Sequence, residues 1–150
     1  MKEKNMEIRI EPLQECYLDQ VCALEEEMFS MPWHRESFQE MIEDKNACYL
    51  VALHQEEVVG ACGLRNIVGD GEVTNVVTKK AYQNRGIGAT LLNQLFSIGR
   101  TMGVEAYTLE VRVSNRPAIH LYQKLGFKKE GIRKNFYEKP REDALIMWKR

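Results

Sequence analysis

The spacing of apolar and polar positions changes several times along this 150-residue chain, and each change marks an element. Residues 6–10 alternate, as a half-buried strand does. Residues 13–29 carry the three- and four-residue spacing of a helix. Met31-Pro32-Trp33 interrupts it, because proline cannot continue a helix and pushes the residue before it toward extended backbone. A second short helix is predicted over 37–42. Strands follow at 48–53 and 58–64, joined by the polar turn His54-Gln55-Glu56-Glu57. Gly69-Asp70-Gly71 reads as another turn, leading into a strand over 72–78.

The period then lengthens. Ile87, Leu91, Leu95, Ile98 and Met102 form a core-facing stripe on a helix over 86–101, which Gly103 stops. A strand over 105–113 turns Tyr107, Leu109, Val111 and Val113 to one face, and Ala106, Thr108, Glu110 and Arg112 to the other. Ser114-Asn115-Arg116-Pro117 offers cap residues and a first-turn proline for a helix through Leu125, ended by Gly126. Strands over 127–137 and 144–148 close the chain around Lys139-Pro140-Arg141. The order β-α-α-β-β-β-α-β-α-β-β predicts an α/β fold, a mixed sheet with helices on both faces.

Composition narrows the class. The length suits one domain over residues 1–150, and 44% hydrophobic with 29% charged residues argues against disorder or a fibre. No apolar run approaches the roughly 20 residues that cross a bilayer, and the charged first seven residues lack the apolar centre of a signal peptide. The expectation is a soluble, cytoplasmic protein with no membrane partner. A net charge of −1 conceals a gradient: residues 1–60 hold 5 Lys/Arg against 14 Asp/Glu, while 61–126 and 127–150 each hold 8 against 4. An acidic first part suits a basic partner and a basic remainder an anionic ligand, although solvated helix faces give the same counts. Without a contiguous basic arm, direct nucleic-acid binding is not expected. Cys16, Cys22, Cys48 and Cys62 form no C-x-x-C pair, and His34, His54 and His120 are scattered, so no metal is expected and the thiols read as packing residues.

One loop carries candidate chemistry. Gln83-Asn84-Arg85-Gly86-Ile87-Gly88 lies between a strand and an amphipathic helix. Its glycines let backbone approach a ligand, and the first-turn amides with the helix dipole make an anion site, most naturally for phosphate. Arg85 adds charge. A tight turn with no ligand is the structural alternative. A Walker loop is absent, and Gly86-Ile87-Gly88-Ala89-Thr90-Leu91 lacks the third glycine of a dinucleotide fingerprint.

This loop resembles the Q/R-x-x-G-x-G/A pyrophosphate loop of the GCN5-related N-acetyltransferase (GNAT) superfamily, and Asn75-Val76-Val77-Thr78 resembles its fourth strand. Further stretches resemble the ribosomal-protein-alanine N-acetyltransferases, the RimI type. They are Leu109-Glu110-Val111-Arg112-Val113-Ser114-Asn115, Ala118-Ile119-His120-Leu121-Tyr122-Gln123-Lys124-Leu125-Gly126-Phe127, Met31-Pro32-Trp33, Asn135-Phe136-Tyr137 and Glu142-Asp143-Ala144. Two departures stand out: Val77-Thr78-Lys79 replaces a more usual Ala-Val-Asp-like stretch, and Met31 a more usual phenylalanine.

The resemblance implies a GNAT fold, its mostly antiparallel sheet splayed in the middle, and acetyl-CoA as cosubstrate without a metal. Cofactor contacts would come from Val76, Val77, Thr78, Asn84, Arg85, Gly86, Ile87, Gly88, Ala89 and Asn115, the last also a helix cap. Glu110 would be the general base, with an ion pair to Arg112 as its structural alternative. Tyr122 would protonate the departing thiolate, with core packing as the alternative. Trp33 and Tyr137 would flank the peptide, or else be core-edge aromatics. A backbone N–H of Val76–Thr78 would hold the oxyanion while the amine attacks the thioester directly, leaving Cys48 and Cys62 without a covalent role. The implied acceptor is the N-terminal alanine of small-subunit ribosomal protein eighteen, and the enzyme a monomer or weak dimer. Three other readings remain at this point: a GNAT enzyme acting on lysine or a small amine such as a polyamine, a non-catalytic acetyl-CoA-binding module, and a nucleotide-binding domain.

Overall fold

The structure, a computed structural model, describes residues 7–150. Its elements are β1 (Ile8–Pro12), α1 (Leu18–Met28), α2 (Arg35–Glu43), β2 (Ala47–His54), β3 (Glu57–Ile67), β4 (Asp70–Thr78), α3 (Ile87–Thr101), β5 (Ala106–Arg112), α4 (Arg116–Lys124), β6 (Lys128–Glu138) and β7 (Arg141–Lys149). The α/β order matches the pattern in the sequence; Met6, assigned to the first strand, lies outside the described residues. Seven strands form one sheet in the order β1-β2-β3-β4-β5-β7-β6. The β4–β5 pair is parallel and the others are antiparallel.

Each face of the sheet has its own core. On one side α3 buries Ile87, Leu91, Leu92, Leu95 and Phe96 against Leu50, Ala52, Cys62 and Leu64, and α4 adds Tyr122. On the other, Leu18, Val21 and Leu24 of α1 and Phe38 and Met41 of α2 cover Tyr49, Val51, Leu53 and Ala61. Period-two alternation in β2 divides its residues between the two, and burying each Leu, Val or Phe contributes roughly 1.5–3 kcal/mol.

Two predicted boundaries move for physical reasons. Leu13 does not begin a helix: its N–H still bonds the Tyr49 carbonyl of β2 at 2.8 Å, and Glu15–Tyr17 makes a 3-10 turn before α1. Gly71 is a strand residue rather than part of a turn. The reversal uses Val68 and Gly69, both at positive φ, while a Cβ on Gly71 would lie 2.8 Å from Val104 and 2.9 Å from Leu64. Its glycine answers close packing.

Two irregularities open the middle of the sheet. Pairing of β4 with β5 covers Asp70–Glu72 against Ala106–Thr108. Beyond it, β4 bulges: Ala61 pairs with Val77 and Gly63 with Thr74, so Asn75 and Val76 together oppose Cys62, and Asn75 takes φ 54. The extra residue reverses the facing of the rest of the strand. Val73 packs into the α3 core, whereas Val77, four residues on, packs into the α1/α2 core.

Candidate active site

A cavity of about 420 Å³ lies where β4 leaves β5. Val76, Val77 and Thr78 of β4 line it, with Asn84, Gly86, Ile87, Gly88 and Ala89 of the glycine loop, and Asn115 and Tyr122 at α4. Nine of the ten backbone and loop positions expected from sequence to meet a cofactor therefore share one wall set. Arg85 is the tenth; its guanidinium sits 5.9 Å from the centroid of Tyr82, a residue that does line the cavity.

The loop works through backbone. Gly86 holds φ 81, a left-handed conformation that glycine adopts without strain, and no side chain caps α3. Thr90 N–H bonds the Gly86 carbonyl at 3.0 Å, so the helix's own ladder begins there and the amides of Ile87, Gly88 and Ala89 precede it. A Cβ on Gly88 would stand 3.2 Å from Leu121 and 3.9 Å from the Thr78 hydroxyl, both cavity residues. Three uncapped amides at a positive helix end fit a diphosphate. Among the described residues, no three His, Cys, Asp or Glu side chains gather to hold a metal ion.

Tyr122 closes the inner end, 6% exposed, its ring 5.8 Å from Phe127. Burial pushes its phenol far above the usual tyrosine range, with smaller contributions from Cys62 and Tyr137. It therefore keeps its proton at ordinary pH, as a proton donor must.

Glu110, Trp33 and Tyr137 lie outside the cavity lining. In β5 the buried residues Tyr107, Leu109 and Val111 face α3, so Glu110 and Arg112 project to the opposite face. The pairing of these two considered from sequence does not form. Glu110 Oε2 instead meets Arg133 Nε of β6 at 2.6 Å, and Arg112 Nη1 meets Glu142 Oε1 of β7 at 3.1 Å. Register explains the exchange, because Arg112 and Arg133 both align with Ala144 from opposite sides of β7. Arg112 also donates to the Pro140 and Lys139 carbonyls and to Ser30 Oγ, and lies 4.4 Å over the Tyr137 ring. It thus joins the β6–β7 hairpin to the segment between α1 and α2. Tyr137 is half-buried, and burial together with Glu110 raises its phenol to about 12. Trp33 is half-buried 5.4 Å from Phe38 and 6.4 Å from Tyr49. Met31, by contrast, is exposed.

Sequence reasoning missed several cavity residues: Met28 and Phe29 of the α1 end, Tyr82, Gln83, Pro117, Ala118 and Leu121. Gln83 had a signal as the first residue of the glycine loop, and Tyr82 as the residue that abuts it. Met28 and Phe29 had none, being ordinary members of a helical apolar stripe.

A loop of uncapped amides and a buried phenol line one cavity beside the split in the sheet, a set of groups able to hold an anion and to donate a proton. The family model described as the acetyltransferase (GNAT) family matches residues 18–127, which hold the whole cavity wall. This chain belongs to that family. It is a GNAT N-acetyltransferase, similar over 87% of its length, at 39% identity, to 87% of a Bacillus subtilis (strain 168) protein whose name proposes a ribosomal protein bS18-alanine N-acetyltransferase. The crystal structure of the ribosomal-protein-S18-alanine N-acetyltransferase from Escherichia coli superposes with TM-score 0.86, 28% identity, and coverage of 95% of this chain and 93% of that one. Arabidopsis thaliana NAA60 in complex with acetyl-CoA shares the GNAT fold at TM-score 0.87 and 18% identity, over 95% of this chain and 97% of that one.

Proposed function

We propose that residues 1–150 form one domain that moves the acetyl group of acetyl-CoA to the N-terminal α-amine of a protein, the alanine of ribosomal protein bS18. The observation that carries this reading is the cavity running from the amides of Ile87–Ala89, past the split between β4 and β5, to Tyr122. The similarity to the bS18-alanine enzymes supports the choice of acceptor.

Acetyl-CoA supplies the thioester. The amides of Ile87, Gly88 and Ala89 bind its diphosphate, and Asn84 and Asn115 flank it. An amide of Val76–Thr78 donates to the carbonyl oxygen as charge builds there. From the other face Glu110 accepts a proton from the acceptor's ammonium, and the freed amine attacks the carbonyl carbon. The C–N bond forms, the C–S bond breaks and Tyr122 gives its proton to the sulfur, while the second proton shed by the nitrogen as it becomes an amide returns through water to the Tyr122 phenolate. Trp33 and Tyr137 flank the peptide, whose basic residues meet the acidic first part of the chain. Cys62 is fully buried and its thiol is pushed upward, and burial raises Cys48 to about 11, neither a setting for a thiolate nucleophile. We place this reaction in the cytoplasm, carried out by a monomer or weak dimer without direct nucleic-acid contact. No described helix is long and apolar enough to cross a membrane.

The test follows thiol release from acetyl-CoA with three acceptors: a basic peptide starting with alanine, the same peptide N-terminally blocked but carrying a lysine, and spermidine. The free peptide should be acetylated fastest and lose advantage as salt screens charges beyond about 8–10 Å. Equal or faster turnover of the blocked peptide or spermidine would overturn the α-amine reading.

A further inference from the structure

Glu25, on the last turn of α1, is 3% exposed, the single buried charged side chain among the described residues. A buried carboxylate is costly unless its hydrogen bonds repay it, and packing alone at this position would be served by leucine or methionine. Oε2 accepts two bonds: from the Asn75 side-chain amide at 2.9 Å and from the Trp33 backbone N–H at 3.2 Å. Oε1 is buried with no partner, as is the hydroxyl of neighbouring Tyr49. Desolvation raises the Glu25 carboxyl, and the two donors pull it back.

Those two donors belong to different halves of the reaction. Asn75 sits in left-handed conformation at the β4 bulge, a strained backbone that a side-chain bond can hold. Val76, next along, lines the cavity, and the bulge sets which way its amide and those after it face. Trp33 lies on the segment between α1 and α2, which Arg112 also grips through Ser30. One carboxylate oxygen therefore spans the strand on the acetyl side and the segment on the acceptor side. Glu25 itself does not line the cavity.

We infer that Glu25 is a positioning residue for acetyl transfer, its carboxylate fixing the β4 bulge to the Trp33 segment so that amine and thioester meet in reactive geometry. The inference rests on the proposed acetyl transfer, in which the amides after the bulge face the acetyl carbonyl. A misplacement of about 1 Å between reacting groups costs on the order of 10²-fold in rate.

The experiment compares Glu25→Gln, Glu25→Met and Asn75→Gly, using whichever acceptor of the panel the wild-type enzyme acetylates. Steady-state kcat and KM for both substrates are measured, along with hydrogen exchange of the Trp33 backbone amide. The glutamine oxygen can still accept both bonds, so Glu25→Gln should keep kcat within about threefold, an energy difference below one hydrogen bond. Glu25→Met should lose about 10²-fold in kcat at unchanged KM for acetyl-CoA, with faster exchange at Trp33. Asn75→Gly keeps the left-handed backbone and should lower kcat while Trp33 stays protected. A folded Glu25→Met enzyme with wild-type kcat would overturn the inference. So would a folded Glu25→Gln enzyme as slow as Glu25→Met, because the charge itself would then take part in chemistry. Should Glu25→Met fail to fold, wild-type kcat in Asn75→Gly overturns it equally. A wrong acceptor shows in the wild-type panel, whereas a wrong role for Glu25 shows only in the variants.

Discussion

Helices α3 and α4 both begin on the same cavity, and they begin in opposite ways. At α4, Asn115 Oδ1 accepts from the Ala118 N–H at 3.2 Å, and Pro117 brings no N–H to the first turn. At α3, Gly86 offers no side chain and the amides of Ile87–Ala89 have no cap. Glycine at the cap costs only about a few tenths of a kcal/mol against Asn or Ser, and Gly88 inside the first turn up to about 1 kcal/mol against alanine. What is lost in local stability leaves donors for a ligand. A closed helix end leaves the cavity to side chains, and α4 brings Tyr122 to its wall; an open end presents backbone amides. The two meet at Gly88, whose missing Cβ would crowd Leu121.

Tyr122→Phe should give the largest effect, lowering kcat by about 10²–10⁴-fold with acetyl-CoA affinity nearly unchanged. Because the phenol is raised, its acid form persists upward in pH. The wild-type kcat profile should thus show no tyrosine loss at the ordinary value near 10. A wild-type rate in the variant would leave Tyr122 a packing residue. Next in size, Gly88→Val should weaken acetyl-CoA by at least about tenfold in calorimetric titration, roughly 1.4 kcal/mol, with circular dichroism unchanged. Equal affinity in a folded variant would erase the contrast between the two helix starts. Smallest is Asn115→Ala, which should cost about 1 kcal/mol of stability in denaturant titration. A much larger fall in cofactor affinity than in stability would show that Asn115 serves the ligand before the helix.

How far these features could be read from sequence depended on the range of the interactions. The glycine loop and the Asn115 cap are local, and both stand where the pattern placed them. The alternation of β5 also held, turning Glu110 away from the α3 core. Its partner could not be read, since Arg133 is reached only through the β5–β7–β6 register, and β6 departs from its pairing between Arg133 and Tyr137. The α1 start was misjudged because Leu13 obeys helical spacing yet remains bonded to β2. Nothing marked Glu25 among its neighbours Glu26 and Glu27, which are exposed while it is buried.

Sequence alone determined the order of elements, the core-facing side of β5, and the uncapped glycine start of α3. Each comes from steric and hydrogen-bonding rules acting within a few residues. Tertiary structure decided the rest: the bulge that turns Val77 to the opposite core, the exchange of ion-pair partners between Glu110 and Arg112, and the burial of Glu25. These depend on which strands lie side by side and in what register, and one inserted residue there reverses the facing of every later position in the strand.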